Sequence, residues 1–191
     1  MAKTKTVPKK KSIVPSYLEK TVKEYGDILK TGNDVLQSKK DLKVISISPS
    51  IDVGLGGGVI EGSWVTLTGD PKSGKTTTAM QIAKNCQELG RTIIYLDVEG
   101  RLKQMNFALA GLDPSKMIVV SPVDKPVSAE QFLDIAYKMM SDPEYHGAVL
   151  IIDSISSLIP QKELDADFGS YRAGLPKILS VFTKKIGQLL P

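Results

Sequence analysis

Gly69-Asp70-Pro71-Lys72-Ser73-Gly74-Lys75-Thr76 fits the pattern G-x-x-x-x-G-K-[ST] at every fixed position. The apolar, β-rich run Trp64–Thr68 leads into it and reads as a strand. A helical pattern runs from Lys75 to Leu89 and stops at Gly90, the usual place for a C-terminal glycine. Strand, glycine-bearing loop and helix start form a phosphate cradle: the glycines let backbone N–H groups curl around the anion, and the helix N-terminus adds its positive dipole end. Lys75 would reach the β- and γ-phosphates, and the Thr76 hydroxyl would ligate Mg²⁺. The expected ligand is therefore ATP with Mg²⁺; the plainer alternative is a chance glycine-rich turn.

Beyond the loop, strands and helices alternate. Thr92–Asp97, Met117–Ser121 and Ala148–Asp153 read as strands, the last a continuous apolar run of the sort buried on both faces of a parallel sheet. Lys103–Ala110, closed by Gly111, Ala129–Met140 and the amphipathic Leu175–Leu190 read as helices. Such alternation implies βαβ units: an α/β fold with a mostly parallel sheet and flanking helices, spanning 44–191. Before it, 16–43 form a small helical element. Tyr17, Leu18, Val22, Tyr25, Ile28 and Leu29 make one stripe, Ser16 and Glu19 match a capping box, and Gly32-Asn33 break the pattern. Residues 1–15 are a basic tail carrying Lys3, Lys5, Lys9, Lys10 and Lys11, able to touch nucleic acid or simply to stay solvated.

A Mg²⁺–phosphate site also needs a carboxylate on a neighbouring strand. Asp153 ends the apolar run Val149–Ile152, at the strand edge where open α/β sheets bind ligands, and is the candidate to hold the ion. Ser154 beside it is expected to bond the Asp153 carboxylate or a phosphate-side water. Hydrolysis further requires a group that polarises water. Asp97 and Glu99, two residues apart past the end of a strand, are both expected to look into the crevice, and chemistry alone does not choose between them.

Composition narrows the class. Of 191 residues, 41% are hydrophobic and 24% charged, as in ordinary globular chains, and the net charge of +4 argues only weakly for an anionic partner. No apolar run approaches the ~20 residues of a membrane span, and the N-terminus lacks the apolar stretch of a secretory signal. Cys86 is the only cysteine, which excludes an internal disulfide, and it falls on the amphipathic helix as a packing residue. A reducing, cytoplasmic setting is expected.

From about Ile45 onward the chain resembles the ATPase core of the RecA-type recombinases, phage versions included. An ordered set of segments carries the resemblance: Ser48–Gly58 before the first core strand; the phosphate loop with an extra hydroxyl at Thr77; Tyr95-Leu96-Asp97-Val98-Glu99; Leu150–Leu158 with its Asp-Ser pair; and Pro160–Gly174, with Glu163, Gly169 and Gly174 at matching spacing. The resemblance implies a RecA-like P-loop NTPase fold, selects Glu99 as the residue that activates water, and makes Pro160–Gly174 a mobile DNA-binding loop. Gly169, Gly174, Arg172 and Lys177 would meet the phosphates of single-stranded DNA, and Tyr171 or Phe168 would stack on bases. Glu163, Asp165 and Asp167 would repel the backbone from the loop's first half.

It also implies a DNA-dependent ATPase that promotes homologous pairing and strand exchange in recombinational repair. The 16–43 element would join subunits into a helical filament. The stretch Gly100–Asn106 departs from bacterial members, which hold adenine there with an acid and a tyrosine; Arg101 and Lys103 would instead meet phosphate or base, or face water. The core is expected to be C-terminally incomplete at Pro191, so that a second polypeptide would complete its sheet. The alternatives are a truncated, hydrolysis-deficient partner that modulates a full-length filament, and a helicase-type motor.

Overall fold

The computed structural model describes residues 19–40, 42–103, 107–108, 110–167 and 174–190. Two compact units make up the chain, Met1–Leu42 and Lys43–Pro191.

The first unit holds α1 (Glu19–Tyr25), a 3-10 turn at Gly26–Ile28 and α2 (Gly32–Ser38). Gly32 thus opens a helix instead of ending one. The reason is a capping box: the Thr31 hydroxyl accepts the Asp34 N–H at 3.2 Å, and the Asp34 carboxylate accepts the Thr31 N–H at 3.1 Å. Together they satisfy the first-turn donors, and glycine costs little there. The box expected at Ser16 lies outside the described residues, as do Tyr17 and Leu18.

The second unit opens with β1 (Val44–Ile45), paired antiparallel with β2 (Val59–Ile60) around α3 (Pro49–Leu55). Then follow α4 (Lys75–Glu88), β3 (Ile93–Asp97), β4 (Met117–Val120), α5 (Ala129–Ser141), β5 (Val149–Asp153), the single turn α6 (Gln161–Leu164) and α7 (Leu175–Gly187). β3, β4 and β5 form a parallel sheet in the order β4-β3-β5, with Ile93 opposite Met117 and Val149, and Asp97 opposite Asp153.

β3 is the centre of the core. Its alternate residues face opposite layers, as the two-residue period of a strand requires. Ile94 and Leu96 pack with Phe132, Ala136, Phe182 and Ile186 of α5 and α7. Ile93 and Tyr95 pack with Met80, Ala83 and Cys86 of α4. Helices therefore cover both faces of a parallel sheet, the α/β architecture expected from the alternation. α5 is well specified locally: Ser128 and Gln131 make a capping box, and Phe132, Leu133 and Ala136 supply one apolar face.

Two expectations need correction. Trp64–Thr68 pairs with no strand among the described residues, and Trp64, Val65 and Leu67 are exposed. Its composition suits a strand, but a strand persists only where a neighbour takes its backbone groups. The strand buried on both faces is β3; every residue of β5 is only half-buried, because β5 stands at the sheet's edge. Of the helix expected at Lys103–Ala110, Phe107, Ala108 and Ala110 are helical, and 104–106 and 109 lie outside the described residues. Among the described residues no helix is long and apolar enough to cross a membrane.

Candidate nucleotide site

The loop Gly69–Thr76 is built for close approach. Gly69 has φ 155°, and a Cβ there would stand 2.8 Å from the Ser73 hydroxyl oxygen. Gly74, the residue before α4, takes a left-handed conformation (φ 95°), as does Lys72 (φ 65°), where a side chain makes it strained. The first helical bond of α4 runs from the Thr78 N–H to Gly74 O at 2.8 Å, so the N–H groups at the helix start carry no helical partner. Asp70, Pro71, Lys72, Ser73 and Thr77 are exposed. The Lys75 ammonium folds back over the loop and donates to Gly69 O and Asp70 O, each at 2.8 Å. A phosphate oxygen arriving in the loop offers that ammonium a stronger, charged partner.

At the other side of the site, the Thr76 hydroxyl donates to Asp153 Oδ2 at 2.8 Å. The loop's hydroxyl and the strand-end carboxylate, expected from sequence to share a metal ion, are thus in direct contact. The Tyr95 hydroxyl donates to the same oxygen, also at 2.8 Å.

Asp97 and Glu99 do not share a role. Asp97 is buried, and its two oxygens accept the backbone N–H groups of Arg101 (3.0 Å) and Leu102 (2.9 Å). β3 ends at Asp97 and the chain turns immediately, with the Gly100 N–H on Asp97 O at 3.2 Å, so the two-residue spacing no longer puts both acids on one face. Glu99 stays accessible. Its Oε1 accepts the Ser157 hydroxyl at 2.8 Å and the Ser154 hydroxyl at 2.9 Å, and its Oε2 lies 2.9 Å from the Arg101 guanidinium. The Ser157 and Ser154 bonds, aided by the charges of Arg101 and Lys75 and opposed by partial burial, hold its carboxyl below the usual carboxylate range. Ser154 therefore serves Glu99, where the Asp153 carboxylate or a water was expected. Arg101, exposed as it is, ion-pairs with Glu99. The Asp153–Ser154 peptide is cis.

The segment expected to bind DNA is described only in part. Gly169, Tyr171 and Arg172, with Phe168, lie outside the described residues. Gly174 precedes α7, and Lys177 is exposed in that helix's first turn. The loop's first half is less free than expected: Gln161–Leu164 is a helical turn, held by the Gln161 N–H on the Glu130 carboxylate at 2.9 Å.

Sequence reasoning assigned no part to Tyr95 or Ser157. The available signals were a hydroxyl among the aliphatic residues that precede Asp97 and a serine-rich turn after Asp153. For the metal the donor chemistry fits. Among the described residues no three His, Cys, Asp or Glu side chains converge on an ion-sized space. One hydroxyl and one carboxylate, both hard oxygen donors, form the small protein contribution that Mg²⁺ accepts when phosphates and water fill its other positions.

A helix-flanked parallel sheet with a G-x-x-x-x-G-K-T loop opening a helix defines the P-loop α/β class. Within that class, residues 12–190 match the RecA N-terminal domain, and the chain belongs to that family. It is similar to the RecA protein of Bifidobacterium longum (31% identity; 88% of this chain, 41% of the relative), of Bifidobacterium breve (29%; 88% and 42%) and of Xanthomonas campestris (27%; 93% and 50%). The chain spans half or less of the length of these relatives.

Proposed function

We propose that this chain is the ATP-binding part of a DNA-dependent ATPase of the recombinase kind. The observation that carries the reading is the 2.8 Å contact between Thr76 and Asp153, residues 77 positions apart, beside a loop shaped for phosphate. Gly69–Thr77 cradle the triphosphate, Lys75 neutralises the β- and γ-phosphates, and Thr76 with Asp153 holds Mg²⁺. When bound, Mg²⁺ withdraws charge from the phosphate oxygens. Glu99, kept ionised by Ser157 and Ser154, orients the attacking water once the exposed Arg101 swings aside. The family supports single-stranded DNA as the polymer bound, filament formation through the 16–43 element, and pairing and strand exchange as the outcome. Gly169, Tyr171, Arg172, Gly174 and Lys177 are the proposed DNA contacts.

Turnover of ATP with and without single-stranded DNA tests this. Glu99→Gln should retain nucleotide affinity and lower turnover about 100-fold or more; lost affinity would refute its assigned role.

One observation favours a second reading, a nucleotide-binding partner that turns over ATP only when another polypeptide completes its sheet. Trp64–Thr68, like the outer edge of β5, pairs with no strand among the described residues. Nucleotide binding without turnover, with turnover restored by the C-terminal portion of a matched RecA protein, would select it.

A further inference from the structure

We infer that Tyr95 is a positioning residue for Asp153: its buried hydroxyl fixes the carboxylate in the orientation that receives the Mg²⁺ of a bound nucleotide. The inference rests on the nucleotide reading above and deepens it. Tyr95 is fully buried on β3 opposite Ile151 of β5, so Asp153 lies two residues further along the neighbouring strand, on the same face of the sheet. Its ring is packed with Met80, Ala83 and Cys86 under α4, the helix that also delivers Thr76. β3, β5 and α4 thus meet at one atom, Asp153 Oδ2, which takes a hydroxyl from Tyr95 and another from Thr76, each at 2.8 Å.

The two donors are not equivalent. Thr76 is at the open side of the site, and its oxygen is wanted by the metal. Tyr95 is enclosed, and its rotamer is locked by packing. A phenol is un-ionised at neutral pH, so the Tyr95 hydroxyl is a standing proton donor to the carboxylate. The terminal torsion of an aspartate is soft and broadly distributed. A fixed donor on Oδ2 removes that freedom. A phenylalanine would fill the same space and supply nothing to the carboxylate. The competing account is that Asp153 merely satisfies a buried hydroxyl, as nearly all such groups are satisfied. The two accounts differ in what Mg²⁺ does.

The test uses the full chain and a fluorescent ATP analogue, with affinity measured in EDTA and through a MgCl₂ titration. Tyr95→Phe should raise the Mg²⁺ midpoint about 10-fold, the effect typical of losing a partner behind a metal ligand, with affinity in EDTA and the melting temperature little changed. Asp153→Asn should abolish the Mg²⁺ dependence. An unchanged midpoint in Tyr95→Phe overturns the inference and leaves the nucleotide reading standing. Equal losses with and without Mg²⁺ assign Tyr95 to packing and also overturn it. Failure of the unaltered chain to bind the analogue overturns both.

Discussion

Ser157 shows how one hydroxyl bears on the candidate site. It stands in a 3-10 turn after β5 and donates to the same Glu99 oxygen as Ser154. Its bond is the largest influence lowering the Glu99 carboxyl, so the sign of a change is clear. A depressed carboxyl is ionised above its folded value, and whatever needs its charge is lost as pH falls through that value. Ser157→Ala should therefore move the Glu99 titration upward, read as the carboxyl signal in a ¹³C NMR titration, and Ser157→Thr should restore it. No movement in the alanine variant would mean that this bond does not hold in solution. The same scale shows what was legible in the chain. Lys75, Thr76 and Asp153 followed from the types and spacing that phosphate and Mg²⁺ chemistry demand. Tyr95 and Ser157 did not, because a hydroxyl's partner is set by which strand and turn come to lie beside it.

The elements themselves were largely readable from local signals. α5 begins where Ser128 and Gln131 satisfy the first-turn donors, and its apolar face recurs at helical spacing. The two signals make separable contributions. Ser128→Ala should cost about 1 kcal/mol through the lost cap, and Phe132→Ala about 3–5 kcal/mol through an unfilled core, both read as urea-unfolding shifts; equal effects would refute the division. The strand at Trp64–Thr68 was misread for a related reason. Propensity and a following glycine loop are local, whereas a strand's existence depends on a neighbour that no local pattern names. The converse holds at Gly32, where a residue that breaks helix interiors starts a helix because Thr31 and Asp34 cap it.

For the whole molecule, the sheet edge at β5, unpaired among the described residues, and the exposed Trp64 make one prediction. Trp64 is the sole tryptophan and is 51% exposed, so its fluorescence reports on that region alone. Acrylamide should quench it readily in the isolated chain. A polypeptide that supplies the neighbouring strand should reduce quenching and shift emission to shorter wavelength; quenching typical of a buried indole in the isolated chain would contradict the exposed position. An unpaired edge is also a template for association, so self-association should rise with concentration. The sequence by itself determined the fold class, because periodicity and alternation follow directly from burying one face of each element. It determined the phosphate loop too, because only certain residues fit that turn. The tertiary structure alone decided that Asp97 is spent on its own turn, that Glu99 stays open under two serines and an arginine, and that Tyr95 reaches Asp153. Each of these depends on groups distant in the chain being held within hydrogen-bond range, which only the packed sheet and helices enforce.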